Sequence, residues 1–169
     1  AASLPDPDST PGSGGAAEDD YATATITTAA PAGAPPVLDR LAVKPSKFGR
    51  PGGATPKPGA KRIVRSAKLS VRLSKAATVT GSVDLARPGR TAGKRCVAAT
   101  KGNRSAKRCT RYTRRAALTF RAAAGTTART FTAKIGKTIL APGTYRLTAS
   151  AKDAAGIASK RGATTTFTV

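Results

Sequence analysis

The sequence predicts an all-β protein: an antiparallel two-sheet sandwich of about seven strands behind an extended N-terminal arm. Three observations predict it. Short runs of alternating apolar and polar residues recur from Val37 to the C-terminus, separated by turn signals roughly every 8–12 residues. No stretch carries a convincing helical period. The apolar content of 39 % leans on Ala and Val with only seven aromatics, Phe48, Phe120, Phe131, Phe167, Tyr21, Tyr112 and Tyr145, which suits a thin β-branched core. A chain of 169 residues allows one domain and an extension.

The elements follow in order. Residues 1–36 form an arm. Its first twenty positions are rich in Pro, Gly, Ser and Asp and offer little to pack. YATATITTA, Tyr21–Ala29, alternates and is rich in Thr, so it predicts a strand with no neighbour in sequence. A Thr/Pro-rich stalk, open to O-glycosylation, is the alternative. APAGAPP then makes a stiff spacer. The body is expected over 37–169. VLDRLAV (37–43) predicts the first strand, ended by Pro45, and residues 49–62 a basic Gly/Pro loop. SAKLSVRL (66–73) places Ala67, Leu69, Val71 and Leu73 on one face. ATVTGSVDL (77–85) does the same for Val79, Gly81, Val83 and Leu85, and ARPGR (86–90) reads as a turn. Further strands are expected at ALTFRA (117–122), RTFTAKI (129–135), APGTYRLTASAK (141–152) and TTTFTV (164–169).

Charge is distributed unevenly. The net charge is +22, from 30 basic and 8 acidic residues. Six of the acids, Asp6, Asp8, Glu18, Asp19, Asp20 and Asp39, lie in residues 1–39, which hold no Lys or Arg. The rest of the chain holds every basic residue and only Asp84 and Asp153. An acidic arm on a basic body invites contact between them, within one molecule or between neighbours. High-GC codon usage accounts for the size of the charge but less well for its polarity. The absence of Met, with a start at Ala1-Ala2-Ser3, reads as a processed product whose secretory signal has been removed. No apolar run reaches membrane-span length.

The two cysteines sit in RCVAATKGNRSAKRC, Arg95–Cys109. A structural zinc site wants four Cys or His ligands, and the chain has two Cys and no His. A redox dithiol is normally spaced C-x-x-C. Basic neighbours would keep a reduced pair reactive, so outside the cell the stable product is a disulfide between Cys96 and Cys109. Around it stand Lys94, Arg95, Lys101, Arg104, Lys107, Arg108, Arg111, Arg114 and Arg115 with no acid among them. Such a patch suits phosphate backbones or anionic wall polymers, with strong salt dependence. Sequence-specific reading of nucleic acid is not expected, because only Tyr112 offers an aromatic there. A solvated basic loop without a dedicated ligand is the alternative.

Four stretches in order, KLSVRLSKAATVTGSVDLARPGR, RCVAATKGNRSAKRCTRY, LAPGTYRLTASAKDAAG and TTFTV, resemble an immunoglobulin-like, fibronectin-III-like module common at the C-termini of secreted actinobacterial proteins. The resemblance covers about Val37–Val169. It implies a β-sandwich, an extracellular location and a loop disulfide, and it brings no catalytic residue or cofactor. Such modules are normally appended to a larger protein, whereas here the module makes up most of the chain. Tyr145, after Pro142-Gly143, is similar to the corner tyrosine of such folds.

Catalysis is not expected. Asp153 sits in a turn sequence, Asp84 late in a strand where a nearby Arg can pair it, and Ser74-Lys75 point to opposite faces of a strand. The expected role is a non-enzymatic subunit of an extracellular filament or surface layer. Tyr21, Thr23, Thr25, Ile26 and Thr27 would add as a strand to another copy's open edge, building a head-to-tail homopolymer. The alternative is a module that binds wall polymer or, nonspecifically, extracellular DNA.

Overall fold

The computed structural model describes residues 33–51 and 64–169. Within them the chain forms β1 (Leu38–Lys44), β2 (Ser66–Leu73), β3 (Ala77–Ala92), β4 (Arg95–Val97), a 3₁₀ turn at Lys101–Asn103, β5 (Arg108–Ala122), β6 (Gly125–Thr132), β7 (Lys134–Ile135), β8 (Thr138–Ile139), β9 (Thr144–Lys152) and β10 (Ala163–Thr168). The predicted all-β class holds.

Two antiparallel sheets make the sandwich. One has the order β1-β2-β6. The other runs β10-β9-β3, with β5 on the far flank of β3. Beyond Leu85, where β9 stops pairing, β4 pairs with β3 over Arg90–Ala92. β7 and β8 form a small separate ribbon. After Pro45 the chain passes from the first sheet to the second: Phe48 donates its backbone N–H to the Thr168 carbonyl (3.1 Å), and Thr168 donates to the Ser46 carbonyl (2.7 Å).

Strand alternation decides the core. Ala67, Leu69, Val71, Leu73, Val79, Val83, Leu85, Tyr145, Leu147, Ala149 and Ala151 are all buried, as their periodicity requires. The sandwich has two unlike ends. At one, small side chains such as Ala77, Ala122, Ala149 and Ala151 pack with Val71, Leu73 and Val79. At the other, Phe167 stands among three rings: Tyr145 (5.4 Å) and Phe48 (5.6 Å) stacked, Phe131 (5.1 Å) edge-on. Each such contact adds roughly 0.5–1.5 kcal/mol beyond area burial. Phe48 lies outside any strand, so no alternation announced it.

Several expected boundaries are corrected. ARPGR is not a turn but part of β3, and β5 begins nine residues before Ala117, at Arg108. Pro88 fits because β3 has no strand neighbour on one flank between Leu85 and Arg90, and a proline needs only a flank that asks for no donor. The strand expected at 129–135 is shifted to Gly125–Thr132, since Gly125 at φ +83° lets the chain turn directly from one sheet into the other. β9 starts at Thr144 rather than 141, after Gly143 at φ +154°. The strand expected at Tyr21–Ala29, most of the arm, and most of the 49–62 loop lie outside the described residues.

Candidate functional site: a disulfide-stapled basic hairpin

β3 and β5 pair continuously from Ala77↔Ala122 to Arg90↔Arg108. Only the first half of this ribbon is sandwiched. β9 covers β3 as far as Leu85, so residues 86–92 and 108–113 carry the hairpin past the aromatic end of the core. A bulge at Val83/Asp84 sets Ala116 opposite Val83 and Arg114 opposite Asp84, leaving Arg115 as the extra residue.

The expected disulfide is present. Cys96 on β4 and Cys109 on β5 are joined, with a Cα–Cα distance of 6.0 Å. Gly89 of β3 lies against the bridge. A Cβ there would come within 2.7 Å of Cys96 Sγ and 2.5 Å of the Val97 carbonyl oxygen, so only glycine lets the staple close without the ribbon shifting. The tip is organised locally. Asn103 accepts from the Thr100 N–H (2.7 Å) and donates to the Ala98 carbonyl (2.9 Å). Arg90 donates to the Ala106 carbonyl (2.9 Å), and the Thr91 N–H donates to the Lys107 carbonyl (2.9 Å).

The nine basic candidates all fall on this hairpin or its base. Lys94 and Arg95 lie at the β3–β4 turn, Lys101, Arg104 and Lys107 in the tip, and Arg108, Arg111, Arg114 and Arg115 along β5. All are exposed except Arg111, which is half-buried. Two further arginines, Arg87 and Arg90, were hidden in the ARPGR stretch. The register sets Arg87 directly opposite Arg111, and Arg90 directly opposite Arg108. Like charges facing one another across an antiparallel ribbon are destabilising.

Among the described residues no ion pair relieves them. Asp84 accepts from Ser82 (2.8 Å) and pairs with Arg146 (3.1 Å), whose guanidinium lies 3.6 Å from the Tyr112 ring centre. The expected Asp84–Arg pairing is therefore present, and Tyr112 is an outer-face residue covered on one side by a cation. Asp153 is held in its turn by the Ile157 N–H (2.8 Å) and by Lys75 (2.6 Å). Neither ion pair among the described residues reaches positions 87–115. Arg111 Nε is buried without an acceptor among the described residues.

Tyr145 marks the hairpin's root. Its hydroxyl donates to the Ala141 carbonyl at 2.7 Å. Burial raises the phenol above its ordinary value, against the opposing fields of Arg115, Arg87 and Arg50. Among the described residues, no group of three or more His, Cys, Asp or Glu is placed to hold a metal, and no helix is long and apolar enough to cross a membrane. The arm residues Tyr21, Thr23, Thr25, Ile26 and Thr27 lie outside the described residues. Comparison with protein-family models, with characterised proteins and with solved structures finds no match for this chain.

Proposed function

We propose that the chain is a non-enzymatic, immunoglobulin-like module of a secreted protein, and that its stapled hairpin holds an anionic extracellular polymer. The module assignment draws support from the strand orders β1-β2-β6 and β5-β3-β9-β10 and from the tyrosine at the start of β9 bonding back to Ala141. The disulfide is compatible with an extracellular location. The observation that carries the binding role is the pair of arginine couples, Arg87/Arg111 and Arg90/Arg108, set face to face and in neither ion pair found among the described residues. An outside polyanion would convert that repulsion into attraction.

The test is a pull-down on anionic wall polymer across a salt series. Replacing Arg104, Lys107, Arg108 and Arg111 together by Ala should abolish retention at moderate salt and flatten the salt dependence. Weak retention that ignores those replacements would sink the reading.

A second reading, a self-assembling subunit joined by strand donation from Tyr21–Ala29, is favoured by one observation. Among the described residues β6 pairs only with β2, and the eight residues Gly125–Thr132 carry one charge, Arg129, along that outer strand. Deletion of residues 1–36 should then abolish sedimenting oligomers. Oligomers that persist after the deletion would refute it.

A further inference from the structure

Along the flank where β5 and β6 lie, the sandwich is one strand short. The first sheet has three strands, while the second sets four across the core, β10-β9-β3-β5. β1 packs against β10, so counting across from that flank leaves β5 with no strand facing it among the described residues. Burial agrees. Ala116, Leu118 and Phe120 point inward from β5 but are only half-buried, whereas Val83 and Val79, opposite Ala116 and Phe120 on β3, are fully buried. A cleft of about 260 Å³ lies there, lined by Leu118, Phe120, Phe131 and Ile135 with Arg129 and Lys134. We infer that this cleft is the acceptor slot for the segment Tyr21–Ala29 of a second copy, which adds to β6 as the fourth strand of the first sheet. The inference rests on the strand-donation reading and names its acceptor.

Length, pattern, charge and reach select this occupant. The nine residues of Tyr21–Ala29 match the eight of β6. Alternation puts Ala22, Ala24 and Ile26 on one face and Tyr21, Thr23, Thr25 and Thr27 on the other. One large apolar side chain beside two alanines suits a cleft at the rim of a core already formed, with the threonines left to solvent. Arg129, over the Phe120 ring at 5.3 Å, and Lys134 are the charges of the cleft, and the described residues lining it include no acid. Glu18, Asp19 and Asp20 immediately precede Tyr21. A donor antiparallel to β6 carries that triplet past Thr132, toward Lys134 of β7 and Lys137 of the β7–β8 turn. Reach separates a neighbour's arm from the chain's own. Pro35–Leu38 share a cleft with Lys160 and Arg161, just before β10. The way from there to the slot crosses three strand spacings, from β10 to β5, or about 14 Å. The chain's own strand would have to span it with residues 30–34, about 17 Å at full extension, around the turns that close that end. A neighbour's arm meets no such limit. Its donation is heterologous, so chains grow head to tail.

The experiment is analytical ultracentrifugation of the full chain over a concentration series at low salt. Wild type should form oligomers that lengthen with concentration. Ile26→Asp, which leaves the sandwich untouched, should weaken association about tenfold or more, and Thr25→Asp, the same charge on the other face, less than about threefold. Leu118→Lys should block the slot of its own copy, and a thermal melt checks that it folds. Ile26→Asp and Leu118→Lys should each stay monomeric alone. Mixed, they should give dimers and nothing larger, because each pair holds one working arm and one working slot. Hydrogen exchange reads the slot without altering the sandwich: at Gly125–Thr132 it should slow on association in wild type and not in Ile26→Asp. Oligomers that need Ile26 but form equally well with Leu118→Lys, without slowed exchange in β6, would overturn the slot while leaving strand donation at another edge. Monomers at every concentration, with β6 exchanging faster in Ile26→Asp than in wild type, would show each chain filling its own slot and overturn the second copy as donor. Monomers whose β6 exchange ignores Ile26→Asp would remove strand donation itself.

Discussion

Tyr145 joins the core to the hairpin root through one hydroxyl. Its ring is a layer of the aromatic cluster and its O–H satisfies the Ala141 carbonyl before β9 begins. Tyr145→Phe keeps the ring and deletes the bond. It should cost about 1 kcal/mol, read as a melting temperature lower by several degrees. An unchanged melt would show that water satisfies that carbonyl equally well. The Asp153 carboxyl is a second single-residue test. The hydrogen bond from Lys75, then that from the Ile157 N–H, holds it below the usual aspartate value. Its contribution to stability is thus complete above the unfolded value and is lost as pH falls through the lower folded one. Asp153→Asn should flatten the acid limb of a stability–pH curve and leave the neutral and alkaline limbs parallel to wild type. Both residues were legible in sequence, Tyr145 from Pro-Gly before it and Asp153 from the Asp…Gly turn pattern. Their partners were not. Asp84 was expected to find an arginine, but Arg146 lies 62 residues away, and only the β3–β9 register names it. Lys75, expected to face away from Ser74, pairs with Asp153.

At the scale of elements the hairpin departs most from its sequence. Its inner half was legible because Val79, Val83 and Leu85 alternate against a core. Its outer half has no core to alternate against, so ARPGR and RCTRYTRR read as turn and loop. The staple and the ladder hold that half instead, and this sets its response to change. Gly89→Ala would push a methyl into Val97 O and Cys96 Sγ, so the ribbon must spread there. The expected cost is about 1–3 kcal/mol, with slower disulfide formation on refolding. Replacing both cysteines by Ser removes a cross-link across 13 positions, worth on the order of 3 kcal/mol in the chain-entropy model. Because β3 beyond Leu85 lies outside the core, the loss should fall on the tip. Hydrogen exchange should accelerate at residues 86–111 and change little in β2 and β9. Uniform acceleration in all strands would instead make the staple a support of the whole sandwich.

For the whole molecule, shape and charge are organised along the same direction. The aromatic end of the sandwich, where Phe167 stacks on Tyr145 and Phe48, is the end from which the basic hairpin projects. The stiffer packing therefore lies beneath the element with the least core of its own. Composition made the charge visible and placed the acids in the first 39 residues, but only pairing showed that Asp84 and Asp153 are occupied within the body. The acids left to compete for the hairpin are then Asp39 of β1 and the five of the N-terminal segment, Asp6, Asp8, Glu18, Asp19 and Asp20. A covalently attached acidic segment that meets the hairpin acts at a high effective concentration and competes with a polymer. Neutralising Glu18, Asp19 and Asp20 to Gln, Asn and Asn in the full chain should therefore tighten polyanion binding several-fold at low ionic strength. The gain should shrink as salt rises, because both the segment and the polymer act through the same screened charges. Affinity that falls instead would mean that these acids support the binding-competent form, and affinity unchanged at every salt would mean that they do not meet the hairpin.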